Sequence, residues 1–250
     1  ISAFIYNYII MKSLCIIPCW NEENRLIDLI NQIKNFDQKN IVDFLFINNG
    51  STDNSLKIIM SNNLNVKSYK NNNGIGYALI DGLKIGIENS YDIVIHMAGN
   101  GKMNPLELNK FIDKIKNEDF DFVHGSRFLT GGDYNTNPLN RVILIKILTF
   151  FINLKSKKEI TDATCGFRAF RTSILRNNLS LFDKKMFYTY GYEYYSLGKI
   201  LSNKDIKFTE IPVSMKYPKK GKYSKIRVII DWLPIIKSYF LAFFDGKKFL

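Results

Sequence analysis

The chain has little of what builds metal centres or disulfide frameworks. Of its 250 residues only three are cysteine and two are histidine. Cys15, Cys19 and Cys165 form no CxxC pair and are odd in number, which argues for reduced, cytosolic thiols and against a zinc site. His96 and His124 each follow an apolar run and read as packed or turn residues rather than ligands. There is also no uncharged apolar run of ~18 residues, so no membrane-spanning helix is expected. The first ten residues, ISAFIYNYII, are apolar but short and lack a charged leader region, unlike a signal peptide. They read as an N-terminal extension, with a natural start at Met11. No internal repeat and no long low-complexity tract is visible.

What is present is ample core material and positive charge. The hydrophobic fraction is 46%, with 19 Phe and 14 Tyr. The length suits one α/β domain with a small appendage. The net charge is +12. That balance suits an anionic partner, although a merely lysine-rich solvated surface would give the same number.

Up to residue 125 strands and helices alternate. The pattern predicts strands at Leu14–Pro18, Phe44–Asn48, Asn65–Tyr69, Tyr91–His96 and Phe120–Gly125. Between them it predicts helices at Glu22–Phe36, Ser51–Ser61, Tyr77–Glu88 and Pro105–Asn117. Ser51 or Thr52 is the expected N-cap of the second helix, and Pro105 opens the fourth. This rhythm predicts a mostly parallel sheet flanked by helices. Beyond residue 130 come an apolar helix at Pro138–Leu154, a loop and strand at Thr161–Phe170, and an aromatic helix at Tyr188–Leu201. A short strand at Phe208–Pro212 and a basic loop at 216–227 follow. The last stretch, Val228–Phe244, is apolar and aromatic.

Each early strand ends in a polar turn: PCWNEEN, NNGSTDN, NNNGIG, AGNGK and HGSR. Open parallel sheets bind ligands at the carboxyl ends of their strands, and Gly-rich turns can hold phosphates through backbone N–H groups. One turn, HMAGNGKMNP at 96–105, contains no carboxylate.

In order and spacing these motifs resemble those of the family 2 glycosyltransferases with the GT-A fold, an α/β Rossmann-like domain. Within that family the chain is most similar to the polyprenyl-phosphate and dolichyl-phosphate sugar synthases. IPCWNEE (17–23) resembles IPxYNEE, INNGSTDNS (47–55) resembles VDDGSTDGT, and NNGIGYA (72–78) resembles NxGxGxA. GSRF (125–128) with Arg141, DATCGFRAF (162–170), GYEYYSLGKI (191–200) and the stretch 210–225 resemble the later motifs. The implied organisation is an extension at 1–10, a GT-A domain at 11–225 and an amphipathic segment at 226–250.

The resemblance implies a transferase that moves a sugar, with inversion, from a nucleotide-sugar donor to a polyprenyl phosphate or lipid-linked saccharide. It implies that Pro18, Asn21, Glu22, Asn48, Asn49, Asp53, Gly74, Gly76, Ala98, Gly99 and Asn100 line the donor side. Arg127, Arg141, Arg168, Lys222 and Lys225 are the implied phosphate or acceptor contacts. Asp162, with Glu193 behind it, is the implied catalytic carboxylate.

The departures carry as much information. The family's acids after the fourth strand hold Mg²⁺ or Mn²⁺, which neutralises the leaving diphosphate. Aligned on the strand and Pro105, those positions are Ala98 and Asn100 here, and the following Gln position is Lys102. No residue is therefore assigned as a metal ligand. A lysine ammonium can do the same electrostatic task as a point charge, so Lys102 is expected to replace the metal. Asn48-Asn49 stands where the family has two aspartates, so the donor base is not carried over. The lysines of 216–225 and the aromatic residues of 228–244 fit a peripheral, cytoplasmic-face membrane contact, with Trp232, Tyr239, Phe240, Phe243 and Phe244 as anchors, and 228–244 fits equally a last helix packed on the core. The alternative is a non-catalytic nucleotide-sugar or lipid-phosphate binding protein on the same fold. A nucleotidyltransferase would need the missing acid pair, and no nucleic-acid motif accompanies the lysines.

Overall fold

The computed structural model describes residues 11–36, 41–134, 138–216 and 232–249. The expected extension at 1–10, Lys222 and Lys225 lie outside the described residues. The first half contains β1 (Ser13–Cys19), α1 (Glu23–Lys34), β2 (Val42–Asn49), α2 (Ser55–Ser61), β3 (Asn65–Tyr69), α3 (Ile75–Glu88), β4 (Ile93–His96), α4 (Leu108–Asn117) and β5 (Phe122–Ser126). The second half contains α5 (Leu139–Asn153), β6 (Arg168–Arg171), the short α6 (Thr172–Arg176) and α7 (Leu179–Phe182), α8 (Gly191–Ser202), β7 (Phe208–Pro212) and α9 (Trp232–Phe244).

The sheet has seven strands in the order β3-β2-β1-β4-β6-β5-β7. β1 is central and buried on both sides. Leu14 and Ile16 face the layer built by α3, α5, α8 and α9, while Cys15, Ile17 and Cys19 face the layer of α1 and α4. A strand apolar on both faces is what a helix-covered parallel sheet requires. Helix α1 buries Leu26, Leu29, Ile30 and Ile33, the 3–4 spacing of one helix face.

The sheet is mostly parallel, as expected, with β6 running antiparallel between β4 and β5. Two expectations need correction. The second helix starts at Ser55 rather than Ser51, because Ser51 Oγ instead accepts the Asn21 backbone N–H at 3.0 Å. Pro105 opens a single 3₁₀ turn, capped by the Asn104 side chain, before α4 proper begins. At the C-terminus, α9 has two faces. Ile235, Ser238, Tyr239 and Ala242 are buried. The Tyr239 hydroxyl donates to the Ala163 carbonyl at 2.6 Å, so Tyr239 is a core residue and not an interfacial anchor. Trp232 and Phe243 pack partly against the core, whereas Phe240 and Phe244 are exposed.

Candidate active site

A cavity of about 1040 Å³ opens at the carboxyl ends of β1, β2, β4 and β5. The turns that the sequence singles out converge there, but not all their residues face it. Pro18, Asn21, Glu22, Asn49, Gly74, Ala98, Gly99, Asn100, Lys102, Arg127, Arg141 and Glu193 are among its lining residues. Asn48, Asp53, Gly76, Asp162 and Arg168 are not, and each has a structural task instead.

Asp53 binds the two first turns together: its carboxylate accepts the Glu23 N–H at 3.1 Å and the Ser55 N–H at 2.9 Å. The Asn48 amide donates to Ser68 Oγ on β3 at 2.8 Å and is buried. Asn49 reaches the cavity edge, yet its amide donates to Asn72 Oδ1 and the Gly74 carbonyl, and its oxygen accepts the Asn73 N–H. An aspartate at 49 could make only the last of these bonds. Glycines 74 and 76 seat another segment. A Cβ at Gly74 would lie 2.2 Å from the Tyr188 carbonyl oxygen, and one at Gly76 would lie 2.1 Å from that of Phe187. The Gly76 N–H donates to the Thr189 carbonyl at 2.7 Å. The structure needs glycine at both positions for this close backbone approach.

The carboxylate-free turn after β4 is held by Asn100, whose Oδ1 accepts the Lys102 N–H at 3.2 Å. The Lys102 carbonyl accepts the Lys216 N–H, and its side chain enters the cavity. Burial pushes the Lys102 ammonium down to about 7, repulsion from Arg141 and Arg25 adds to this, and Glu22 opposes it. Arg25 escaped the sequence reading. It lies three residues beyond Glu22, in the first turn of α1, and lines the same cavity.

Arg127 and Asp162 form a buried pair, 1% and 0% exposed. Arg127 Nε donates to Asp162 Oδ2 at 2.6 Å and Nη2 to Oδ1 at 2.7 Å. Nη2 also donates to Thr164 Oγ1. Burial alone would raise the Asp162 carboxyl, but the Arg127 guanidinium overrides it and holds the group below the usual carboxylate range. Asp162 is therefore the buttress of Arg127 and not the catalytic carboxylate expected of it. Arg168, on β6 opposite both His96 and His124, points into the core. Its guanidinium donates to the Cys165 and Glu193 carbonyls, so it is a brace and not a phosphate contact.

Among the described residues, the carboxylates that line the cavity are Glu22 and Glu193. Glu193 stands in the first turn of α8, and Gly166 makes room for it: a Cβ there would lie 2.7 Å from Glu193 Oε1. Burial raises the Glu193 carboxyl, and Arg168 partly offsets this. The cavity thus has a cationic floor of Lys102, Arg25 and Arg141, with a carboxyl group at the α8 end. Anions fit that floor.

Residues 14–179 match Glycosyl transferase family 2. The chain belongs to that family. The transferase is 29% identical, over 87% of its length and 90% of the relative's, to UDP-N-acetylglucosamine–dolichyl-phosphate N-acetylglucosaminyltransferase of Methanococcus voltae. It is 26% identical to the polyprenol monophosphomannose synthase of Mycolicibacterium smegmatis, over 70% of this chain and 67% of that one. Glucosyl-3-phosphoglycerate synthase of Mycobacterium tuberculosis in complex with UDP superposes with a TM-score of 0.67 at 15% identity, covering 93% of this chain and 80% of that one. The complex of the same enzyme with Mn²⁺, UDP and glucosyl-3-phosphoglycerate gives 0.63. These superpositions confirm the GT-A fold.

The family's divalent ion does not fit the residues of this transferase. Ala98 offers no donor atom, Asn100 Oδ1 already caps the Lys102 N–H, and Lys102 brings a cation. Among the described residues no helix is long and apolar enough to cross a membrane.

Proposed function

We propose that the transferase moves a sugar from a nucleoside-diphosphate sugar to a polyprenyl phosphate or lipid-linked saccharide, with Lys102 doing electrostatically what the family's metal does. The observation that carries this reading is Lys102 itself, inside the cavity, in the turn where the family has its acids, beside Arg25 and Arg141. The names of the two relatives supply the donor and acceptor classes.

The reaction is one displacement. An oxygen of the acceptor phosphate forms a bond to the anomeric carbon on the face opposite the leaving group. The bond from that carbon to the diphosphate oxygen breaks, and its electron pair stays on that oxygen. Negative charge grows there, and Lys102, with Arg25 beside it, offsets it. A phosphate nucleophile is already anionic and needs no base. A sugar hydroxyl would need one, and Glu193 is the carboxylate at that end of the cavity.

The deciding assay presents purified protein with a panel of nucleotide-sugars, starting from UDP-N-acetylglucosamine, and a polyprenyl phosphate, in EDTA or in Mg²⁺ or Mn²⁺. Transfer undiminished by EDTA is expected. Turnover only with metal would sink the lysine reading. Nucleotide binding without turnover would favour a non-catalytic binding protein.

Donor binding is expected to take up a proton. Burial and the neighbouring cations hold the Lys102 ammonium down to about 7, and a bound diphosphate raises that value. Below about pH 7 the lysine is charged before the donor arrives and uptake is near zero. Above it, binding draws in up to about one proton, and Kd weakens by up to about tenfold per pH unit. Calorimetry at pH 6 and pH 8 in buffers of different ionisation enthalpy reads the uptake directly. A Kd independent of pH across that range would mean that Lys102 does not meet the diphosphate.

A further inference from the structure

Most of the large apolar side chains left exposed among the described residues sit on two helices, α5 and α9. On α5 and at its end these include Ile143, Ile147, Phe150 and Leu154, and on α9 they are Leu233, Ile236, Phe240 and Phe244. The spacings of three and four place each set on one helix face. Phe150 and Phe240 are each 60% exposed. The opposite faces are spent on the core: Ile145, Leu148 and Ile152 from α5, and Ile235, Tyr239 and Ala242 from α9.

The two helices lie side by side and run the same way. Near their starts, Arg141 and Ile145 share a crevice with Trp232 and Ile235. At their ends, the Lys155 ammonium sits 5.9 Å from the centre of the Phe244 ring. Helices of this length give a face ~20 Å long, and at a spacing of ~10 Å it covers roughly 400 Å². That matches the largest apolar patch of a typical soluble monomer, which is often a functional surface. Neither helix contains an Asp or a Glu. The exposed charges on and next to them are Lys146, Lys155, Lys157, Lys237, Lys247 and Lys248, against one exposed acid, Glu159. An apolar face with a cationic rim suits an anionic lipid surface, whereas a second copy would set lysines against lysines. Both helices also start at the cavity, which Arg141 and Pro234 line.

We infer that α5 and α9 together form a docking face for an anionic bilayer, which brings the cavity mouth to the level of the lipid headgroups. The sequence suggests a membrane contact from the lysines of 216–225 and the residues of 228–244; α5 supplies the other half of the face. The inference rests on the lipid-acceptor reading for its purpose but not for its test.

Flotation tests it. The full chain is mixed with vesicles of neutral phospholipid, or of neutral phospholipid with phosphatidylglycerol, and centrifuged through a density gradient. The wild type is expected to float with the anionic vesicles and less with the neutral ones. A Phe150→Ser, Phe240→Ser double variant is expected to lose at least about tenfold in membrane partition. Its transfer to a short, water-soluble isoprenyl phosphate is expected to stay within about twofold, since both positions are surface sites. A wild type that stays unbound with both vesicle types overturns the inference. So does a dimer in light scattering that the double variant converts to monomer, because the face would then belong to a second copy. A chain that floats but transfers no sugar defeats the proposed function and leaves the docking face standing.

Discussion

Replacing Lys102 by alanine is expected to lower kcat/KM for sugar transfer by about 10²- to 10³-fold. That is the usual cost of removing one preorganised group aimed at developing oxyanion charge. The variant should fold normally, because it removes a cation that burial and the neighbouring Arg25 and Arg141 already disfavour. Adding Mg²⁺ or Mn²⁺ is not expected to restore the rate, since Ala98 and Asn100 remain poor ligands. Lys102→Arg is expected to recover little, because a planar guanidinium does not occupy the place of a compact ammonium. Initial rates at saturating acceptor, with the donor Kd from calorimetry, check all three statements. A Lys102→Ala enzyme within about threefold of wild type, at a pH where catalytic groups normally matter, would return Lys102 to an ordinary solvated side chain.

The second large effect is on stability. Asp162→Asn keeps the shape of the side chain but leaves the Arg127 guanidinium buried without a counter-charge. Breaking one partner of such a pair costs about 3–5 kcal/mol. In a chain of this size each kcal/mol lowers Tm by roughly 2–4 °C, so a fall of about 6–20 °C is expected by calorimetry or circular dichroism. The pH dependence follows from the direction of the Asp162 shift. Its folded value lies below the ordinary carboxyl value. The stabilisation is therefore present above about pH 4 and is lost as pH falls through the folded value. The Asn variant should show a shallower acid limb. An unchanged Tm together with lost turnover would instead mark Asp162 as a group that touches substrate.

Much of this architecture was legible in the chain. The strands β1, β2, β4 and β5 were readable as apolar runs ending in polar turns, β3 from its place in the alternation, and α1 as a 3–4 stripe. The sequence also located the cavity, because five turns in a row end strands of one parallel sheet. What escaped depends on distant partners. β6 is four residues long, and its place between β4 and β5 is set by antiparallel pairing with strands far away in sequence. Asp162 sits in a motif that suggests chemistry, but its partner Arg127 is 35 residues distant and burial decides its role. Gly74 and Gly76 sit in a turn of phosphate-binding type, whereas the backbone they admit belongs to residues 187–189. Arg25 was passed over because a single arginine on a helix carries no signal until its neighbours are known.

That last contact at Gly74 and Gly76 has an engineering consequence. The start of α3 at the cavity's edge is bonded main chain to main chain with the segment that leads into α8 and Glu193. The two halves of the chain are thus keyed together like two parts cut to one template. A chimera that grafts the second half of a relative onto this chain inherits a working seam only where positions 74 and 76 stay side-chain-free and the grafted backbone passes at the height of Tyr188.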